Sequence, residues 1–139
     1  MNPKKIKIGC ASAFWGDTST AARQLVEKGD IDYLVFDFLA EMTMSILAGS
    51  KKNNPKMGYA TDFIDQLSPL LETIKSKNIK VISNAGGVNL NSCKEALEEI
   101  AHSLGISLNI AIIAGDDLMS KKNELMGLNI KEMETDQEL

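Results

Sequence analysis

Tyr33-Leu34-Val35-Phe36, opening onto Asp37-Phe38-Leu39-Ala40-Glu41, is the stretch that decides the fold. Four apolar residues in unbroken succession leave no polar face, so a strand built from them needs cover on both sides, as in the parallel sheet of an α/β protein. Working outward, Ile6-Lys7-Ile8-Gly9-Cys10 reads as the strand before it. Ile79-Lys80-Val81-Ile82 and Leu108-Asn109-Ile110-Ala111-Ile112-Ile113 read as two strands after it. Helical patterns fill the gaps. Asp17, Thr18 or Ser19 can cap a helix carrying Ala21, Ala22, Leu25 and Val26, which Gly29 ends. Met42, Ile46 and Leu47 suggest a short helix before the polar loop Lys51-Lys52-Asn53-Asn54-Pro55. Phe63, Ile64, Leu67, Leu70, Leu71 and Ile74 keep helical spacing, with a kink or restart at Pro69 and Asn78 able to take a left-handed turn. Ser92-Cys93-Lys94-Glu95 has the spacing of a capping box, and Gly105 stops that helix.

The resulting order predicts an α/β fold: a four-stranded, mainly parallel, Rossmann-like sheet with right-handed crossovers and helices on both faces. Residues 1–118 form this domain, and 119–139 a charged helical or irregular tail with three lysines against five acids. A doubly wound domain usually has five or six strands, so the domain reads as incomplete.

Composition narrows the function. The 139 residues carry 15 Lys and Arg against 19 Asp and Glu, a net charge of −4. This balance offers no electrostatic footprint for nucleic acid and no polybasic face for lipid. The longest uncharged stretch of the C-terminal half, Ser103–Gly115, has 13 residues, short of the roughly 20 that span a bilayer. No secretory signal follows Met1, so the expected location is the cytoplasm. Cys10 and Cys93 stand far apart, which excludes a disulfide framework, and each reads as a small buried hydrophobe. His102 is the one histidine, so chemistry must rest on carboxylates, hydroxyls, amides, backbone N–H groups or one thiol, for which Cys10 at a strand end is the alternative to a buried hydrophobe.

Those groups gather where ligands of open α/β sheets bind, beyond the carboxyl ends of the strands. No dinucleotide fingerprint, phosphate-binding P-loop or nucleophile elbow is present. Ser83-Asn84-Ala85-Gly86-Gly87 is the candidate anion site, with Asn89 beside it; the alternative is a turn needing positive φ. Asp17, Asp37, Glu41, Asp116 and Asp117 form a candidate carboxylate cluster suited to a divalent cation or acid–base work; the alternative makes Asp17 an N-cap, Asp37 the start of a turn and Asp116-Asp117 the cap of a following helix. Trp15, beside Gly16, could stack on a ligand or pack on the sheet edge.

Four of these stretches together resemble a known family. Ile8–Thr18, Asp32–Ser45, Val81–Asn89 and Gly115–Leu118 are similar, in order, to motifs of the acyclic terpene utilisation proteins of bacteria. Glu134–Leu139 resembles a further family stretch, with Asp136 and Glu138 in place of a glycine and a proline. Family members are longer, so the resemblance covers their N-terminal part and implies a truncated fragment or one half of a split protein. It implies a catabolic role on acyl-CoA or carboxylic acid intermediates of branched terpenoids, without supplying a reaction, a cofactor or catalytic residues. Asp37, Glu41 and Asp116 would then do the chemistry. Trp15, Gly16, Asp17, Ser83, Asn84, Gly86, Gly87 and Asn89 would hold a small ligand. The alternative is a non-catalytic ligand-binding or partner subunit. Either reading predicts association, with a second copy or with a separately encoded C-terminal half.

Overall fold

The computed structural model describes residues 5–138; residues 1–4 and 139, the outer ends of the two expected segments, lie outside the described residues. Three strands form, β1 (Ile8–Ser12), β2 (Tyr33–Phe36) and β3 (Lys80–Ser83), all parallel and in the order β1-β2-β3. The register aligns Ile8 with Tyr33 and Lys80, and Cys10 with Val35 and Ile82. Beyond Cys10 the register slips, so that Ser12 rather than Ala11 faces Phe36. That surplus residue is a β-bulge, and it leaves both Ala11 and Ser12 buried.

The helices are α1 (Ala21–Lys28), α2 (Glu41–Asn53), α3 (Thr61–Leu67), α4 (Leu71–Ser76), α5 (Leu90–Ser103) and α6 (Lys122–Met126). Pro69 does restart the helix, through a 3-10 turn at Ser68–Leu70 that joins α3 to α4. Asn78 turns at φ 55° and Gly105 at φ 67°, each ending its helix as a left-handed residue can. Other local expectations are corrected. The N-cap of α1 is Thr20, with no side-chain cap, because Asp17 is spent on its own loop. Asn89 rather than Ser92 caps α5, since Ser92 already lies in its first turn and donates its N–H to Asn89 Oδ1. Lys51 and Lys52 belong to the last turn of α2, where the helix dipole favours cations, and the loop starts at Asn54.

The main correction is architectural. Helices α1, α3 and α4 lie side by side, and α5 packs on α3 and its 3-10 turn, so they form one layer on one face. Ala22 and Val26, Phe63, Ile64, Leu67 and Ile74, and Cys93 and Leu97 meet Leu34 and Phe36 in a single core. Phe63 stands edge-on to Phe36 with centroids 5.1 Å apart, and Phe38 stacks on Phe36 at 5.6 Å. Such pairs add about 0.5–1.5 kcal/mol beyond the area they bury. The other face carries no helix among the described residues: Ile8 is 67% and Ile82 55% exposed, Cys10 is exposed, and Tyr33 and Val35 are half-covered. Each right-handed crossover advances the sheet in the same direction, which keeps its helix on the same side. A doubly wound sheet reverses direction; none of the described strands does so.

Leu108–Ile113, expected as a fourth strand, lies outside the sheet. Ile106 N–H turns back onto the Ala101 carbonyl at 2.8 Å, and only Ile110 reaches the core, while Ile113 is 92% exposed. No backbone hydrogen bond ties residues 107–117 to β3 among the described residues, so the segment stands apart from the sheet edge. From there to the end of the described chain the structure is mostly irregular, with α6 and an isolated antiparallel bridge between Lys131 and Glu138. Among the described residues no helix is long and apolar enough to cross a membrane.

Candidate functional site

The carboxyl ends of all three strands meet at one edge, and a short polar chain ties them together. Ser12 is 3% exposed because the bulge turns it inward. Its carbonyl accepts the Asp37 N–H at 3.2 Å, extending the β1–β2 ladder one step beyond the strands. Its hydroxyl lies 3.4 Å from the Asp37 carbonyl, at the limit of a hydrogen bond. From the other side Asn84, the first residue after β3, reaches across to β2. Its carboxamide oxygen accepts the Phe38 N–H at 2.8 Å, and its NH₂ donates to Asp37 Oδ1 at 2.7 Å. One amide thus pairs a backbone donor next to a buried phenylalanine and orients an exposed carboxylate. Asp37 is held, and it faces solvent.

The glycine turn serves packing instead. The Ala85 N–H bonds Ser83 Oγ, Gly87 N–H the Asn84 carbonyl, Val88 N–H the Gly58 carbonyl and Asn89 N–H the Gly86 carbonyl. Four of the five N–H groups of Ala85–Asn89 are thus occupied within the protein, which leaves the turn few donors for an anion. Gly87 has φ 52°, and a Cβ there would stand 2.5 Å from Leu47 Cδ1 and 2.7 Å from the Gly58 carbonyl oxygen. Gly86 likewise has Leu90 Cδ2 at 2.4 Å from where its Cβ would be. Asn89 spends its NH₂ on the Pro55 and Met57 carbonyls at 2.8 and 2.7 Å, binding the loop after α2 to the start of α5.

The remaining expected residues separate. Asp17 accepts the Ala13 N–H at 2.9 Å and closes the β1–α1 loop, where Gly16 turns at φ 88°. Trp15 packs partly against the core, while its neighbour Phe14 is exposed. Glu41 is exposed in the first turn of α2. Asp116 and Asp117 lie exposed in the irregular segment. Among the described residues no three His, Cys, Asp or Glu side chains come together as a bound cation would require. The five carboxylates do not come together among the described residues, because they belong to three separate segments and only Asp37 is drawn to a neighbouring strand.

Sequence reasoning missed several participants. Ser12 is revealed only by the bulge. Gly58, at φ 108° against Lys51, Val88 and Asn89, carried a signal as a glycine beyond a polar loop. Lys51, expected as a solvated loop residue, donates to the Val88 carbonyl. Below the turn, burial pushes the Cys93 thiol up to about 11 and raises Tyr59 from its ordinary value, with Cys93, Glu99 and Asp65 adding to the latter. Cys10, expected buried, lies on the uncovered face, with its thiol 3.1 Å from the Ser12 carbonyl. An open depression of about 540 Å³ lies at the opposite end of α5, between Glu98 and His102 and the chain from Gly105 to Leu108.

The stretches that build this edge, Ile8–Thr18, Asp32–Ser45 and Val81–Asn89, are those that resembled a family. A family model described as "Acyclic terpene utilisation family protein AtuA" matches residues 6–139. Among curated proteins and among solved structures nothing matches the chain. The match runs through every strand and helix described above, and on that ground the chain belongs to the acyclic terpene utilisation family.

Proposed function

We propose that the strand-end edge binds an acyl-CoA or carboxylic acid intermediate of branched terpenoid breakdown, in the cytoplasm, with Asp37 as the acid–base group. The observation that carries this reading is the double hydrogen bond of Asn84, which fixes a solvent-facing carboxylate between two adjoining strand ends. A positioned carboxylate can accept a proton from a hydroxyl or from carbon beside a thioester carbonyl. It would repel the phosphates of a coenzyme, so the acyl end, not the nucleotide, would meet Asp37. Ser83, Asn84, Gly86, Gly87 and Asn89 act here by shaping the edge, and Trp15, Gly16 and Asp17 by holding the loop beside it. Glu41 and Asp116 would take part only if the ligand draws them in.

The test is an NMR titration of the labelled chain with a branched-chain acyl-CoA, the matching free acid, and coenzyme A alone. The first two should shift the amide signals of Phe38 and Asn84; coenzyme A alone should not. Asp37→Ala should weaken binding of the acyl-CoA, whose thioester carries no charge to oppose the carboxylate, at least about tenfold, a loss of roughly 1.4 kcal/mol. Unmoved Phe38 and Asn84 signals in all three titrations would reject the proposal.

A second reading, a non-catalytic ligand-binding or partner subunit, is favoured by the uncovered sheet face with Ile8 and Ile82 exposed. Parallel sheets are buried on both faces, so this surface fits association with a second copy or a complementary chain. Asp37→Ala would then leave ligand affinity unchanged.

A further inference from the structure

The strands advance in one direction, β1 to β2 to β3, and the helices advance with them, α1 to α3 and α4 to α5, in a single layer. The crossover that leaves β3 through α5 stays in that layer. A right-handed connection of this kind can return to the sheet only on the far side of β3. That edge is vacant among the described residues, since β3 pairs with β2 alone. From this we infer that Leu108–Ile113, which lies off the sheet in the state described above, exchanges with a seated state in which it is a parallel strand on the outer edge of β3 and carries Asp116 to the polar strand ends beside Asn84.

Four features of the segment fit this seat. Leu104–Ser107 separates α5 from Leu108, a link of four residues, within the roughly 2–6 usual between a helix and the following strand. Residues 107–117 make no backbone hydrogen bond through N–H or C=O among the described residues, so a full row of donors and acceptors is free to pair. Ile110 already rests against the core, in line with Val81, which does the same on β3. Strand alternation then sends Ile112 towards the helix layer and Ala111 and Ile113 to the face that holds Ile82. The depression of about 540 Å³ between the end of α5 and Gly105–Leu108 marks where the chain stands off the layer, and seating the strand closes it.

The residue that gains a role is Asp116. With Ile112 opposite Ser83, Ile113 falls opposite Asn84, and Gly115-Asp116 forms the loop directly beyond, at the edge where Asp37 is held. Gly115, at φ 144°, suits a sharp turn at that point. This placement of Asp116 rests on the reading of that edge as a ligand site; the strand itself does not.

Amide hydrogen exchange, read by NMR on the whole chain, separates the two. Seating predicts that alternate amides within Leu108–Ile113 exchange at least about tenfold more slowly than free peptide, the others not. Ile110→Pro and Ala111→Pro remove neighbouring N–H groups, of which one faces β3 and one faces away. One of the two variants should therefore abolish the protection and the other keep most of it. Amides of Leu34 and Phe36 report in both variants whether the three-stranded core is intact. Exchange at free-peptide rates along the whole segment, with the core protected, overturns the inference even if Asn84 binds ligand. Alternating protection upholds it even if no ligand binds.

Discussion

Asn84 does two jobs with one side chain, and they respond differently to substitution. Asn84→Ala strips the Phe38 N–H of its partner and frees Asp37, which should cost about 1–2 kcal/mol in urea denaturation. Asn84→Asp keeps the acceptor for Phe38 but sets a second carboxylate against Asp37, so its destabilisation should shrink on acidification, as seen in melts at pH 4 and pH 7. Gly87→Ala combines a left-handed φ of 52° with a contact of 2.7 Å to the Gly58 carbonyl oxygen. We expect a loss above about 2 kcal/mol and little change at the Asp37 carboxylate, read by denaturation and by NMR respectively. Cys93 gives a pH signature. Burial raises its thiol from 9.0 to about 11, so between those values the unfolded chain releases a proton that the folded chain keeps. Stability should therefore fall as pH rises through that window, and Cys93→Ala should flatten the fall. At pH 8, iodoacetamide should label the exposed Cys10 well before Cys93, a difference visible by mass spectrometry.

At the scale of elements, what could be read from the chain was what its local chemistry dictates. The runs at Ile8, Tyr33 and Lys80 became strands because β-branched and aromatic residues there have no helical alternative that buries them. Pro69, Asn78 and Gly105 acted through their own backbone limits, which need no tertiary partner. The pairing of Asp37 with Asn84 was legible only as co-location at strand ends; its geometry depends on register. The coverage of the sheet was not legible at all. An unbroken apolar run states that two faces require cover and is silent on what provides it, so helices on both faces was a natural but mistaken deduction. The glycines of Ser83–Gly87 read two ways for a related reason: a phosphate loop and a tightly packed turn both need residues without a Cβ, and it is neighbours such as Leu47 and Gly58 that show the packing role. Shortening Phe63 to alanine should test the single-layer core, since that ring meets both Phe36 and Phe38. A loss of about 3–5 kcal/mol in chemical denaturation is expected.

Over the molecule as a whole, the uncovered face sets the colloidal behaviour. Ile8, Cys10, Val35 and Ile82 lie on one side of a sheet whose other side is packed, so sedimentation should show association that grows with concentration. Ile82→Glu should shift the chain towards monomer without loss of Tm, because its side chain is already 55% exposed. A monomer across micromolar concentrations would mean that the patch is tolerated as it stands. The bulge at Ala11 has a consequence of another kind. Side chains of a strand alternate, so one surplus residue works like a half-step in a two-beat rhythm. Deleting Ala11 would restore strict time in β1 while leaving Ser12 opposite Phe36, on the beat it already keeps. The loop through Asp17 would hang from the same side of its strand, and only the buried Ala11 methyl would be lost. A single-codon deletion there should therefore do less harm to this edge than replacing Asn84, which ties two strand ends together.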